Sequence, residues 1–221
     1  MMTNSQLFSF NNSTPIIALD CDGVLLDYQA TFPQIYKKTF GKQLTPISPK
    51  LYHATTRYGV TFTPEERIQF DAIWDIDGWR TMVMHDGALE ACQLLHTAGY
   101  ELVCVTQLRS CFLEHRLENF RLHGFPIDRI VSTRYDKNNS TNNPKKQAIE
   151  ELQPLIFADD KKRNFKDIEG AQTKFVFIDH EFYDDPHRNE NIHYDAKYSS
   201  LLEFSKDFLR DKVIWSNRLD N

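Results

Sequence analysis

Two carboxylates one residue apart, Asp20 and Asp22, follow directly on the apolar run Ile16 to Leu19, and Gly23 comes next. Residues i and i+2 of an extended chain share a face, so both carboxylates are aimed the same way. Like charges that close repel, and a hard cation with oxygen ligands relieves the repulsion. A second acidic pair, Asp159 and Asp160, ends the apolar run that starts at Leu155. Between the two pairs lie Thr106, at the end of the run from Tyr100, and Lys145 and Lys146, at the start of a helical stretch. Each feature has an ordinary reading alone. Asp-Gly makes turns, an aspartate caps a helix, and a lysine pair is a solvated helix start. Their coincidence at successive strand ends argues for a shared site.

The elements that must position them follow from the pattern. Short continuous apolar runs read as strands buried on both faces of a parallel sheet. They fall at Ile16 to Asp20, Tyr100 to Val105, Arg129 to Ser132, Leu155 to Ala158 and Lys174 to Ile178. Helical patterns cover 86–98, closed by Gly99, and 111–123, closed by Gly124. Others start at Asn143-Pro144 and reach Leu152, cover about 164–171, and run from Tyr198 to Leu209. Alternating strands and helices predict an α/β fold: a three-layer, Rossmann-like parallel sheet flanked by helices. The carboxyl ends of such strands lie on one edge, where ligands bind.

Residues 1–14 read as a loose arm, 15–27 and 80–221 as the α/β core, and 28–79 as a small helical cap insert. Within the insert, Thr63 caps a helix whose first residue is Pro64 and which runs to about Trp74. The insert is dense in aromatics, most of them expected to fill its own core. Tyr28, Tyr58 and Trp79 are the candidates for touching a substrate, with His53, Arg57 and Arg80 as polar partners. The stretch 180–195 holds three histidines and five acidic residues. Its spacing matches no ligand pattern, and it reads as a solvated loop.

The chain has 221 residues, 26 basic and 31 acidic, for a net charge of −5. No basic stripe appears, so a nucleic-acid duplex is not an expected partner. The polar start is not expected to be a signal peptide, and no transmembrane run is seen. Cys21, Cys92, Cys104 and Cys111 form neither a zinc pattern nor a disulfide framework. Cys21 should point away from the aspartates and the other three should be core thiols. A reducing, cytoplasmic location is the expectation.

The motifs DCDGV at Asp20 to Val24, the strand-terminal Thr106, the lysine before a helix and FADD at Phe157 to Asp160 occur in this order. In this the chain resembles the haloacid dehalogenase (HAD) superfamily over residues 16 to about 178. The insert sits where that family places a helical cap. The dehalogenases lack the second aspartate, so Asp22 points to the phosphatase branch. The stretch IVSTRYDK and the double aspartate resemble, over short pieces, 5′-nucleotidases acting on deoxynucleotides.

The resemblance implies a magnesium-dependent phosphomonoester hydrolase. Asp20 is the nucleophile that forms an aspartyl phosphate, and Asp22 the general acid and base. Thr106, Gln107 and Lys145 hold the phosphoryl oxygens; Lys146 and Lys137 remain alternatives for the lysine. Asp20, Asp22, Asp159 and Asp160 are the metal candidates, and which of the last two ligates directly stays open. The substrate is a small phosphorylated metabolite, with a nucleoside monophosphate favoured and a phosphoglycolate or sugar phosphate as the alternative. A phosphotransferase or mutase, or a non-catalytic binding module, also remains. The assembly is expected to be a monomer or homodimer.

Overall fold

The computed structural model describes residues 14–133, 143–182, 184–185 and 189–211. Six strands form one parallel sheet in the order β3-β2-β1-β4-β5-β6. They are β1 (Ile16–Leu19), β2 (Glu101–Thr106), β3 (Arg129–Ser132), β4 (Ile156–Asp159), β5 (Lys174–Ile178) and β6 (Ala196–Tyr198). The strand order reverses between β1 and β4, and the crevice at such a switch point is where open α/β sheets bind ligands. Asp20 and Asp160 each stand one residue beyond these two strands.

Side chains alternate across the sheet and feed two separate cores. Ile17, Leu19, Cys104 and Ala158 belong to one, while Ala18, Val103, Val105 and Phe157 belong to the other. Cys21 continues the first set and is buried there, away from Asp20, as expected. Cys111 is exposed, against expectation. It lies in the 3-10 turn Ser110–Phe112, which buries Phe112 instead.

Between β1 and β2 come the helices α1 (Tyr28–Phe40), α2 (Ala54–Arg57), α3 (Pro64–Ile73) and α4 (Trp79–Thr81), then α5 (Ala88–Thr97). Asp27 caps α1 by accepting from the Ala30 amide at 2.9 Å. Thr63 and Glu66 form a capping box on α3, with Pro64 in the first turn. A π-helical turn, Trp74–Gly78, links α3 to α4. Pro33 lies inside α1 and has no N–H to give the Gln29 carbonyl. The Tyr58 hydroxyl supplies that donor at 3.1 Å, and its ring stacks on Phe32.

The remaining helices are α6 (Leu113–His123), α7 (Lys146–Leu152) and α8 (Leu201–Arg210). The helix expected over about 164–171 is only a 3-10 turn, Lys162–Phe165. Lys166 is extended and Asp167 has φ +58°, which ends the turn. The short edge strand β6 was not anticipated; three residues carry no readable alternation. No described helix is long and apolar enough to cross a membrane.

Candidate active site

Asp20 leaves β1 at the switch point and is almost wholly buried. Its carboxylate accepts from the Lys145 ammonium, which also donates to Asp159 Oδ2 at 2.7 Å. Lys145 is 1% exposed. Burial lowers its pKa, but Asp159 and Asp20 together outweigh burial and push it up. The structure thus brings a fixed cation to the end of β1. Lys146 turns outward, to the Asp167 carbonyl and Glu150. Lys137 lies outside the described residues.

The two aspartates after β4 are held differently. Asp159 is fully enclosed and accepts from Lys145, from Asn164 Nδ2 at 2.9 Å and from the Lys161 amide at 2.8 Å. Asp160 Oδ1 is buried with no hydrogen-bond partner among the described residues. Burial pushes the Asp160 carboxyl well above its ordinary range, with Asp20 and Asp159 adding to the effect against the pull of Lys161. Ligand atoms of Asp20, Asp159 and Asp160 lie within 4.8 Å of one another. An all-oxygen set with an unsatisfied carboxylate oxygen fits a hard divalent cation such as magnesium.

Asp22 is partly open, and its Oδ1 accepts from Arg116 Nη2 at 2.8 Å. Arg116 is wholly buried and was missed in the sequence. An arginine on an amphipathic helix reads as part of the solvated face. Its guanidinium also lies 5.4 Å from the Trp79 ring centroid. Gly23 has φ +108°, and its carbonyl receives the His180 Nε2–H at 2.5 Å. His180, from the stretch read as a solvated loop, stacks on His85 with centroids 4.9 Å apart. Asn164 and Lys161 also join the site unanticipated; each follows the double aspartate too closely to carry a pattern of its own.

A cavity of about 190 Å³ opens at the sheet edge and is lined by Asp20, Asp22, Thr106, Gln107 and Lys145 among others. A larger one of about 640 Å³ lies between this edge and the helical insert. Asp22, Trp79 and Lys161 line both. Of the three aromatic candidates, Tyr28 and Trp79 line the larger cavity, whereas Tyr58 is engaged under α1. Of the polar candidates, His53 and Arg57 line it, and Arg80 instead pairs with Glu118.

No family model and no curated protein matches the sequence. Solved structures match its fold. An L-2-haloacid dehalogenase superposes with a TM-score of 0.58 at 13% identity, over 90% of this chain and 100% of its own. A haloacid dehalogenase-like hydrolase from Streptococcus pneumoniae gives 0.57 at 16%, over 88% and 98%. A HAD family hydrolase from Deinococcus radiodurans R1, holding phosphate and sodium, gives 0.55 at 14%, over 89% and 96%. The chain has the fold of the haloacid dehalogenase-like hydrolases.

Proposed function

We propose that this chain is a magnesium-dependent phosphomonoester hydrolase working through an aspartyl phosphate on Asp20. The observation that carries the reading is the pairing at the end of β1. A buried carboxylate faces a fixed ammonium, beside a second carboxylate with an unsatisfied oxygen. Asp20, Asp160 and the backbone at Asp22 would hold the cation, with Asp159 behind them orienting Lys145. When bound, magnesium neutralises the phosphoryl oxygens that otherwise repel an anionic nucleophile.

Asp20 attacks phosphorus as the bond to the leaving alkoxide breaks, and its carboxylate oxygen becomes the bridging oxygen of the acyl phosphate. Water then attacks phosphorus, breaks that bond and releases inorganic phosphate and the free carboxylate. Lys145 and the Thr106 hydroxyl bind the phosphoryl oxygens and offset their charge in the transition state. Asp22 gives a proton to the departing alkoxide and later takes one from the attacking water. A dehalogenase has no need of that proton donor, so Asp22 favours phosphate esters. The bound phosphate in the Deinococcus radiodurans structure is consistent with this choice.

The insert acts as a cap that covers the leaving group. The larger cavity, about 640 Å³, is roomy for glycolate and of a size that suits a nucleoside. Tyr28 and Trp79 offer rings for a base, and such stacking contributes about 1–3 kcal/mol. A nucleoside monophosphate is therefore the substrate class proposed first.

The test is release of inorganic phosphate from an aryl phosphate and from nucleoside monophosphates, with magnesium and with a chelator. Magnesium-dependent release is expected, and Asp20→Asn should lower turnover by about three orders of magnitude or more while keeping the melting temperature near wild type. Chelator-resistant hydrolysis, or steady turnover by Asp20→Asn, overturns the assignment.

A further inference from the structure

We propose that the leaving alcohol carries a second anionic group, a carboxylate or a phosphate, and that Arg57 is the residue that reads it. The inference rests on the phosphomonoester reading above and narrows its substrate class from a plain nucleoside monophosphate to an ester whose alcohol is itself anionic.

Three cations stand on the insert side of the larger cavity: Lys50, Arg57 and Arg67. Two already have carboxylate partners. Lys50 Nζ lies 3.3 Å from Glu181, and Arg67 Nε lies 2.8 Å from Asp71. Arg57 makes no ion pair among the described residues. Its Nε donates to the Leu51 carbonyl at 3.0 Å, and its guanidinium sits 5.2 Å from the Phe182 ring centroid. Its Nη2 is buried with no hydrogen-bond partner among the described residues. Burial pulls its pKa down, against the opposing pull of Tyr58, Asp27 and Asp184, so among the described residues this charge is held at a cost that is only partly offset.

The guanidinium is also held in place. Arg57 closes α2, where its amide donates to the His53 carbonyl at 2.8 Å and its carbonyl accepts from Ile47 at 2.7 Å. A planar fork fixed on a cavity wall matches a carboxylate or phosphate through two parallel hydrogen bonds. Asp20, Thr106 and Lys145 line the smaller cavity, and Arg57 lines the larger one, which Asp22, Asp160 and Lys161 border on the sheet side. With the scissile phosphoryl group on Asp20, the part of the substrate that extends toward Arg57 is the leaving alcohol.

The experiment compares matched substrates on the full chain with magnesium. One pair is 3-phosphoglycerate against glycerol 3-phosphate. The other is adenosine 3′,5′-bisphosphate against adenosine 5′-monophosphate, with loss of the 5′ phosphate followed. In the wild type, kcat/KM should favour the member with the second anion by about tenfold or more in at least one pair. The pair that shows the advantage identifies the anion as carboxylate or phosphate. Arg57→Met should bring that ratio close to one, and Arg57→Lys should keep part of it, having the charge without the fork. Ratios near one in the wild type, or an advantage that survives Arg57→Met, overturn the proposal. Calorimetric binding of the products, glycerate and adenosine 3′-monophosphate, separates this from the parent reading. If no phosphate is released from any ester, the hydrolase reading fails. In that case product binding lost in Arg57→Met still supports the anion site, and no product binding overturns it.

Discussion

At the scale of single residues, Gly23 does two things that no other residue type can. Its φ of +108° lies where side chains are strained. A Cβ there would also sit 2.3 Å from Asp160 Oδ2 and 2.5 Å from Asp160 Cγ. The metal-binding carboxylate proposed here occupies the space that Gly23 leaves. Gly23→Ala should therefore reduce turnover by about a hundredfold or more and weaken magnesium binding. Gly41 separates strain from crowding, because it has φ +69° but nothing within 4 Å of where a Cβ would stand. Gly41→Ala should cost about 1 kcal/mol of stability and leave the magnesium titration alone. Equal effects of the two substitutions on magnesium affinity would refute the role given to Gly23. The sequence showed that a glycine after the aspartates permits a turn or a close approach. It could not show that the approaching group is Asp160, which is distant in the chain.

At the scale of elements, the runs that face two cores were legible because burial on both faces leaves an unbroken apolar string. β6 and the truncated turn after β4 were not, being too short for any period to register. Helix α6 was legible as a helix, but its function was hidden in its polar residues. Asn119 donates to the carbonyls of Arg80 and Met82 at 2.8 and 2.9 Å, and His123 meets the Met82 carbonyl at 2.8 Å. Arg116, one turn earlier, reaches Asp22. The helix thus ties the returning end of the insert to the proposed general acid. Arg116→Met leaves Asp22 without its cation, and breaking such a pair costs up to about 3–5 kcal/mol, less here because Asp22 is partly solvated. Beyond lost stability, Asp22 is no longer held in position for the leaving oxygen, so the rate with an alkyl phosphate should fall about tenfold more than with an aryl phosphate, whose leaving group needs less protonation. Asn119→Ala should lower the melting temperature without changing that ratio. A parallel loss on both esters in Arg116→Met would show that the arginine only supports the fold.

At the scale of the whole molecule, three distant stretches meet beneath Gly23: Asp27 at the start of the insert, His85 just after it, and His180 after β5. His85 Nδ1 lies 3.9 Å from Asp27 Oδ2, and its ring stacks on His180. Burial holds the His85 pKa down to about 4, with His180 pushing the same way and Asp27 and Asp86 opposing. The unfolded chain binds this proton near pH 6.5 and the folded one only near pH 4. Between those values the unfolded state holds more protons, so stability falls as pH falls. The loss is complete below the folded value and absent above the unfolded one. Full conversion of the difference would give about 3.4 kcal/mol. The side chain is 25% exposed, and retained hydration lowers the expected loss to about 1–3 kcal/mol. Asp160 acts in the opposite direction in the metal-free chain. Its raised pKa means that the folded state takes up the proton first, so acid relieves its burial. The two contributions overlap in any measurement on one protein, and a difference between variants separates them. Urea unfolding of wild type and His85→Gln in chelator should give a wild-type disadvantage that opens below about pH 6.5 and levels off near pH 4. A stability difference that stays constant across that window would mean that His85 carries no proton-linked burden in the folded chain.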